Sequence, residues 1–159
     1  MNKGHAYLLT GKVASGKTTY ARRKEAEGQA IFLSIDALQL SVLGPSPTRE
    51  QLDASYDGAR AYQFSLALTL LNRGIDVYFD WGLWQKAERQ RYKRMLEQQG
   101  VEVDIIYFDV PAAVRMDRNA QRNRSNDDTS FKIEPHDVRH FDSLYEVPSE
   151  DEYDVLVAD

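Results

Sequence analysis

The chain has 159 residues, 42% hydrophobic and 28% charged, with a formal net charge of −5 and no cysteine. That length suits one α/β domain with a sizeable core, and the composition excludes a disordered or membrane-embedded chain. A sequence pI near 5.2 argues against a broad nucleic-acid surface, while the missing cysteines remove disulfides, thiolate catalysis and cysteine-ligated metals.

In chain order, residues 5–10 read as a first short strand. It runs straight into glycine-rich sequence, which leaves no room for a cleavable leader and makes the cytoplasm the expected location. Gly11-Lys12-Val13-Ala14-Ser15-Gly16-Lys17-Thr18 matches the full G-x-x-x-x-G-K-[ST] pattern, followed by Thr19 and a predicted helix over 17–27. The chemistry needs those residue types. Gly11 and Gly16 let backbone wrap a polyphosphate, and the amides of Ala14, Ser15, Gly16 and Thr19 face its charge. Lys17 reaches the outer phosphates, and Thr18 offers a hydroxyl to magnesium. This is the most specific signal in the chain, and it implies a magnesium-bound nucleoside triphosphate, taken as ATP because a guanine signature is missing.

A second strand over 30–35 is followed directly by Asp36. If the first two strands are neighbours, Asp36 lies at the same sheet edge as the glycine loop, where a carboxylate could take a proton from an attacking hydroxyl. The alternative is that Asp36 caps a helix starting at Ala37. Residues 43–48, with Gly44, Pro45 and Pro47, read as a loop, and 53–72 as a helix stopped by Arg73-Gly74.

The third strand, 75–79, ends at Asp80, an acidic residue suited to a magnesium shared with Thr18; the alternative is a turn aspartate. Trp81 and Trp84 follow, either as stacking surfaces for a flat substrate or as core. The next helix, 84–99, carries Lys86, Arg89, Arg91, Lys93 and Arg94 interleaved with Glu88 and Glu97, which reads mainly as a solvated face.

After a fourth strand over 103–108, the helix over 111–123 spaces Arg115, Arg118 and Arg122 on one face, with Arg124 beyond. Such a face can neutralise a transferring phosphoryl group; the alternative is a solvated basic helix. The polar stretch 123–129 completes a candidate lid spanning about 115–134. A helix over 135–144 and a strand over 153–157 close the alternation, with the lid and residues 147–152 as candidate neighbours of adenine. Strands joined by helical crossovers imply a parallel sheet covered on both faces, with ligands at its carboxyl edge.

The glycine loop, the Ser34-Ile35-Asp36 strand end, Ala87-Glu88-Arg89, and Phe108-Asp109-Val110-Pro111 through Arg118-Asn119-Ala120-Gln121-Arg122 resemble the P-loop kinases of the AAA_33 group. Within that group the similarity is to the 5′-kinase domain of phage polynucleotide kinase, with chloramphenicol phosphotransferase and the zeta toxins as relatives. The resemblance runs from about His5 to Asn123 and more weakly beyond. It implies a three-layer α/β/α sandwich with strand order 2-3-1-4-5, Asp36 as general base, and Arg122 with Arg118 on the donor phosphates. Two departures concern the acceptor. Gln39 stands where polynucleotide kinases carry an acceptor-binding arginine, and Asp80-Trp81-Gly82 replaces an Asp-Thr-Asn segment. Together with the acidic pI, these disfavour nucleic-acid acceptors.

The expectation is therefore a single P-loop kinase domain moving the γ-phosphoryl of Mg-ATP to an unidentified hydroxyl acceptor, with no membrane partner. No Asn-Lys-x-Asp guanine signature occurs. A non-catalytic ATP-binding regulatory module, or a simple ATPase, is the rival reading.

Overall fold

Five short parallel strands organise the molecule, and their order explains where the conspicuous side chains meet. The structure is a computed structural model and describes residues 2–28, 30–125 and 131–158. Strands β1 (Ala6–Gly11), β2 (Ala30–Ser34), β3 (Asp76–Asp80), β4 (Val103–Phe108) and β5 (Val155–Val157) form one sheet in the order β2-β3-β1-β4-β5. The expected order is therefore observed. The chain crosses from β1 past β3 to β2, then returns from β3 across β1 to β4. The direction of winding reverses at β1, which is where a doubly wound sheet opens a crevice at its carboxyl edge.

Period-two alternation divides the strand residues between two apolar layers. Leu8 registers with Phe79 on one neighbour and Ile105 on the other. All three are fully buried, together with Ala67 and Leu71 of α3 (Arg49–Asn72) and Leu96 of α4 (Lys86–Gln98). The opposite face carries Leu9, Tyr78, Ile106 and Phe108, which pack around Tyr20 and Ala21 of α1 (Lys17–Glu27). Each such aliphatic side chain contributes about 1.5–3 kcal/mol by leaving water. The helices therefore lie on both faces of the sheet.

Most predicted elements recur with small shifts at their ends. Helices α5 (Ala112–Arg124) and α6 (Pro135–Leu144) follow the expected pattern, α6 beginning on a proline whose missing N–H would have had no intrahelical partner. One element differs. Helix α2 (Ile35–Leu43) begins two residues before Ala37, where the capping alternative would start a helix, and α3 begins at Arg49 rather than 53. The cause is local. Ser34 sits in extended conformation at the end of β2, and its Oγ accepts from the Ala37 amide at 3.1 Å, turning strand into helix with no loop between. Thr48 and Gln51 form a reciprocal capping box that starts α3 early. The apolar run 35–43 is too short for its period to distinguish helix from strand.

The candidate lid spans about 115–134, of which 126–130 lie outside the described residues. Its described far end is fastened to α5, because Asn119 and Asn123 each donate to the Ile133 carbonyl at 2.7 Å and Asn123 accepts from the Ile133 amide. Among the described residues no helix is long and apolar enough to cross a membrane.

Candidate active site

The glycine loop leaves the carboxyl end of β1 and enters α1 through Gly16, whose φ of +96° places it in the left-handed region that glycine occupies without strain. A side chain at Gly11 would meet Ser15 Oγ at 2.6 Å and the Phe108 Cβ at 2.9 Å, so only glycine lets the loop turn this tightly against β4. Helix α1 has no side-chain cap at its N-terminus and no acidic residue in its first turn. Its first amides and dipole are thus left to an anion, the arrangement that favours phosphate. Lys17 Nζ turns back onto the loop, donating to the Gly11 and Lys12 carbonyls at 2.9 and 3.1 Å. Burial pulls this ammonium below the ordinary lysine range, opposed mainly by the charge of Asp80.

Asp80 terminates β3 beside β1, and Thr18 Oγ1 donates to Asp80 Oδ2 at 2.7 Å. Parallel pairing sets Ser34 opposite Asp80, which brings Asp36, two residues into α2, to the same edge. Ser34 supplies the cap, so the Asp36 carboxylate is not spent on capping and opens onto the edge. The residue as a whole is exposed, while the protein packed around its carboxylate, together with the charge of Asp80, pushes its carboxyl up to about 6 against the pull of Lys17 and Arg122. A base poised near neutrality is suited to taking a hydroxyl proton.

Thr18 and Asp80 fit a magnesium site in kind. Mg²⁺ is commonly held by one or two protein oxygens plus water and phosphate oxygens, so no all-protein cage is needed. Among the described residues no group of three or more His, Asp or Glu converges as a metal cage.

The arginine face of α5 divides by role. Arg115 is buried and structural: its guanidinium donates to the Val110 and Val13 carbonyls and forms a bidentate pair with Asp142 of α6 at 3.0 and 2.8 Å. It joins the glycine loop to α6 and does not line the cleft. Arg118 and Arg122 do line it. This cleft, of about 1030 Å³, runs from residues 14–19 past Tyr20, Arg22 and Arg23 of α1 to Leu156, Val157 and Ala158. Its rim is thus the chain after β5 begins, and residues 147–152 do not line it. The Arg122 guanidinium also donates to Asn119 Oδ1 at 3.3 Å.

Three side chains carry functions that residue type alone did not reveal. Trp81 is core: its Nε1 donates to Gln63 Oε1 at 2.8 Å, and Gln63 Nε2 donates to the Ser34 carbonyl at 2.9 Å, so it is not a free stacking surface. Gln39 is buried and donates to the Leu52 carbonyl and Ser55 Oγ, tying α2 to α3. Arg89, read as part of a solvated face, is fully buried. It pairs with Glu152 at 2.6 Å and donates to the carbonyls of Leu83, Trp84 and Glu146. The clue lay in α4's period: Arg89 falls three residues before Tyr92 and seven before Leu96, on the buried stripe.

A family model, AAA_33 (AAA domain), matches residues 7–148. No curated protein matches the chain significantly. Among solved structures, the chain is similar to Kti12 of Chaetomium thermophilum in complex with ADP-AlF3, at 19% identity and TM-score 0.67, covering 96% of this chain and 87% of that one. It is also similar to the Mycobacterium tuberculosis APS kinase CysC in complex with AMPPNP and APS, at 19% identity and TM-score 0.68, covering 99% and 90%. A chain of the Pnkp1/Rnl/Hen1 RNA repair complex aligns at 17% identity and TM-score 0.70, covering 91% of this chain and 44% of that one. These likenesses establish the P-loop kinase-like fold.

Proposed function

Because the chain belongs to the AAA_33 family of AAA domains, we propose that it is a kinase transferring the γ-phosphoryl group of Mg-ATP to a hydroxyl acceptor, the whole chain acting as one kinase domain. The observation that carries this reading is the meeting of Lys17, Asp36 and Asp80 at one sheet edge, next to an uncapped helix N-terminus. Two fold neighbours were solved with nucleotide analogues, which favours a nucleotide in the equivalent loop. We place its action in the cytoplasm, a setting with which a cysteine-free chain is compatible.

In this reading the loop amides, including those of Ala14, Ser15, Gly16 and Thr19, hold the phosphates. Lys17 leaves the Gly11 and Lys12 carbonyls to reach the outer phosphates, and Arg118 and Arg122 bear on them from α5. Thr18 and Asp80 would hold magnesium, which when bound neutralises phosphate charge. Asp36 orients the acceptor and takes its proton as the acceptor oxygen forms a bond to the γ-phosphorus. The bond from that phosphorus to the β–γ bridging oxygen breaks, and ADP leaves. The rate advantage comes from positioning and electrostatic stabilisation.

With Gln39 buried and engaged in internal bonds where polynucleotide kinases carry an acceptor-binding arginine, the reading favours a small-molecule alcohol over a nucleic acid 5′-hydroxyl. The test is transfer of labelled γ-phosphate to a panel of nucleosides, hydroxylated antibiotics and 5′-hydroxyl oligonucleotides, with Asp36→Asn as control. A labelled product that disappears in the variant supports the kinase. ATP binding with no labelled product, and no ATP turnover for Asp36→Asn to remove, favours a regulatory nucleotide-binding module.

A further inference from the structure

Arg89 lies outside the groups assigned to the reaction, yet its guanidinium contacts three separate stretches of chain. Nη1 reaches the Leu83 carbonyl at 2.9 Å and the Trp84 carbonyl at 3.1 Å, Nη2 reaches the Glu146 carbonyl at 2.9 Å, and Nε pairs with Glu152. The guanidinium also lies over the Tyr145 ring at 5.8 Å. The hydroxyl of Tyr145 meets Thr10 Oγ1 at 2.9 Å, and Thr10 in turn donates to the same Leu83 carbonyl. Thr10 is the residue before Gly11 of the glycine loop, and Leu83 is three residues after Asp80.

Leu83 holds a φ of +50°, in the left-handed region that a branched side chain rarely adopts, and it is almost fully buried. Such a conformation persists only where the surroundings over-determine it. Here the determinants are the two donors on its carbonyl, from Arg89 and Thr10. A buried ion pair is a poor device for stability alone, since apolar residues of similar volume would often serve as well or better. What an apolar residue cannot do is bind three carbonyls from two loops at once.

We propose that Arg89, held by Glu152, is a positioning residue that locks the 81–85 loop against the start of the glycine loop and thereby fixes Asp80 relative to Thr18. The proposal rests on the reading of Thr18 and Asp80 as the magnesium side of the site. The lock also reaches the donor cleft. Glu146 and Glu152 lie on the segment that leads into β5, whose Leu156 and Val157 line that cleft. One guanidinium thus joins the metal-side loop to the approach to the nucleotide rim, and through the Leu83 carbonyl that it shares with Thr10 it reaches the start of the phosphate loop.

The experiment measures ADP binding by calorimetry in Mg²⁺ and in EDTA, together with amide hydrogen exchange, for the unaltered protein, Arg89→Lys, Tyr145→Phe and Thr10→Val. Lysine keeps the charge but not the fork. For Arg89→Lys the Mg²⁺-dependent gain in ADP affinity should shrink by about 10- to 100-fold, the range seen when supporting partners of metal ligands are removed. The affinity in EDTA should stay the same, and exchange at 82–85 should accelerate. Tyr145→Phe and Thr10→Val should show the same pattern in weaker form, and they decide the matter if Arg89→Lys does not fold. An unchanged Mg²⁺ gain and unchanged exchange in folded variants would overturn the proposal. If ADP binding by the unaltered protein has no Mg²⁺ dependence, the magnesium reading itself fails, and the lock is then judged on exchange alone.

Discussion

Thr18 Oγ1 lies 2.7 Å from Asp80 Oδ2, a hydrogen bond between residues 62 positions apart. One belongs to the first turn of α1 and the other to the last position of β3, and the adjacency of β1 and β3 is what brings them together. A hydroxyl that donates to a carboxylate at the mouth of an uncapped helix marks two oxygens that a hard cation can share.

Replacing either oxygen should therefore act through the metal. Asp80→Asn is expected to raise the Mg²⁺ concentration needed for half-maximal ATP turnover by about 10- to 100-fold, with Thr18→Ala similar or milder. Titrating Mg²⁺ at saturating ATP checks this. A fall in the plateau rate with an unmoved Mg²⁺ midpoint would remove Asp80 from the metal side.

Asp36 yields a pH prediction with two arms. As a base it must be ionised in the free enzyme, so kcat/KM should fall as pH drops through about 6. Stability moves the opposite way. Its folded value is raised above the ordinary 3.8, so the folded state binds more protons in that window. The Asp36 contribution to the stability of the ligand-free protein should fall as pH rises from about 4 through 6. Asp36→Asn should accordingly melt higher than the unaltered protein at pH 8, with the difference vanishing near pH 4. Thermal melts across pH, without nucleotide or metal, check the sign.

Arg115 and Arg118, three residues apart on α5, should behave as different kinds of residue. Arg115→Ala strands Asp142 and two backbone carbonyls, at a cost of about 3 kcal/mol, or a fall in Tm of roughly 6–12 °C for a chain of this size. Arg118 lines the cleft beside the glycine loop, and its Nη1 lies 3.4 Å from where a side chain on Gly16 would begin. Arg118→Ala should leave Tm within about 2 °C and weaken ATP binding by about tenfold, the loss of one charge-assisted contact. Melting curves and nucleotide titrations on the two variants separate the roles.

Local chemistry determined much of this protein. The glycine loop is written in residue types whose conformations and donors leave few alternatives, and the strand–helix alternation that frames it is a short-range pattern of apolar spacing. Both are therefore visible in the sequence at Gly11–Thr18 and in the strands themselves. The start of α2 was settled by a single Ser34 hydrogen bond, whereas sequence spacing leaves Asp36 equally open as a base or as the cap of that helix. Tertiary structure alone decided the fates of like residues. Arg115 and Arg118 share a helix face, yet Asp142 of α6 claims one and leaves the other to the cleft. Arg89 sits in a basic helix, yet Glu152, 63 residues away, allows it to be buried whole. A charge becomes structural or functional according to the partner that meets it across the fold. Those partners are set by strand order and helix packing, which no local spacing encodes.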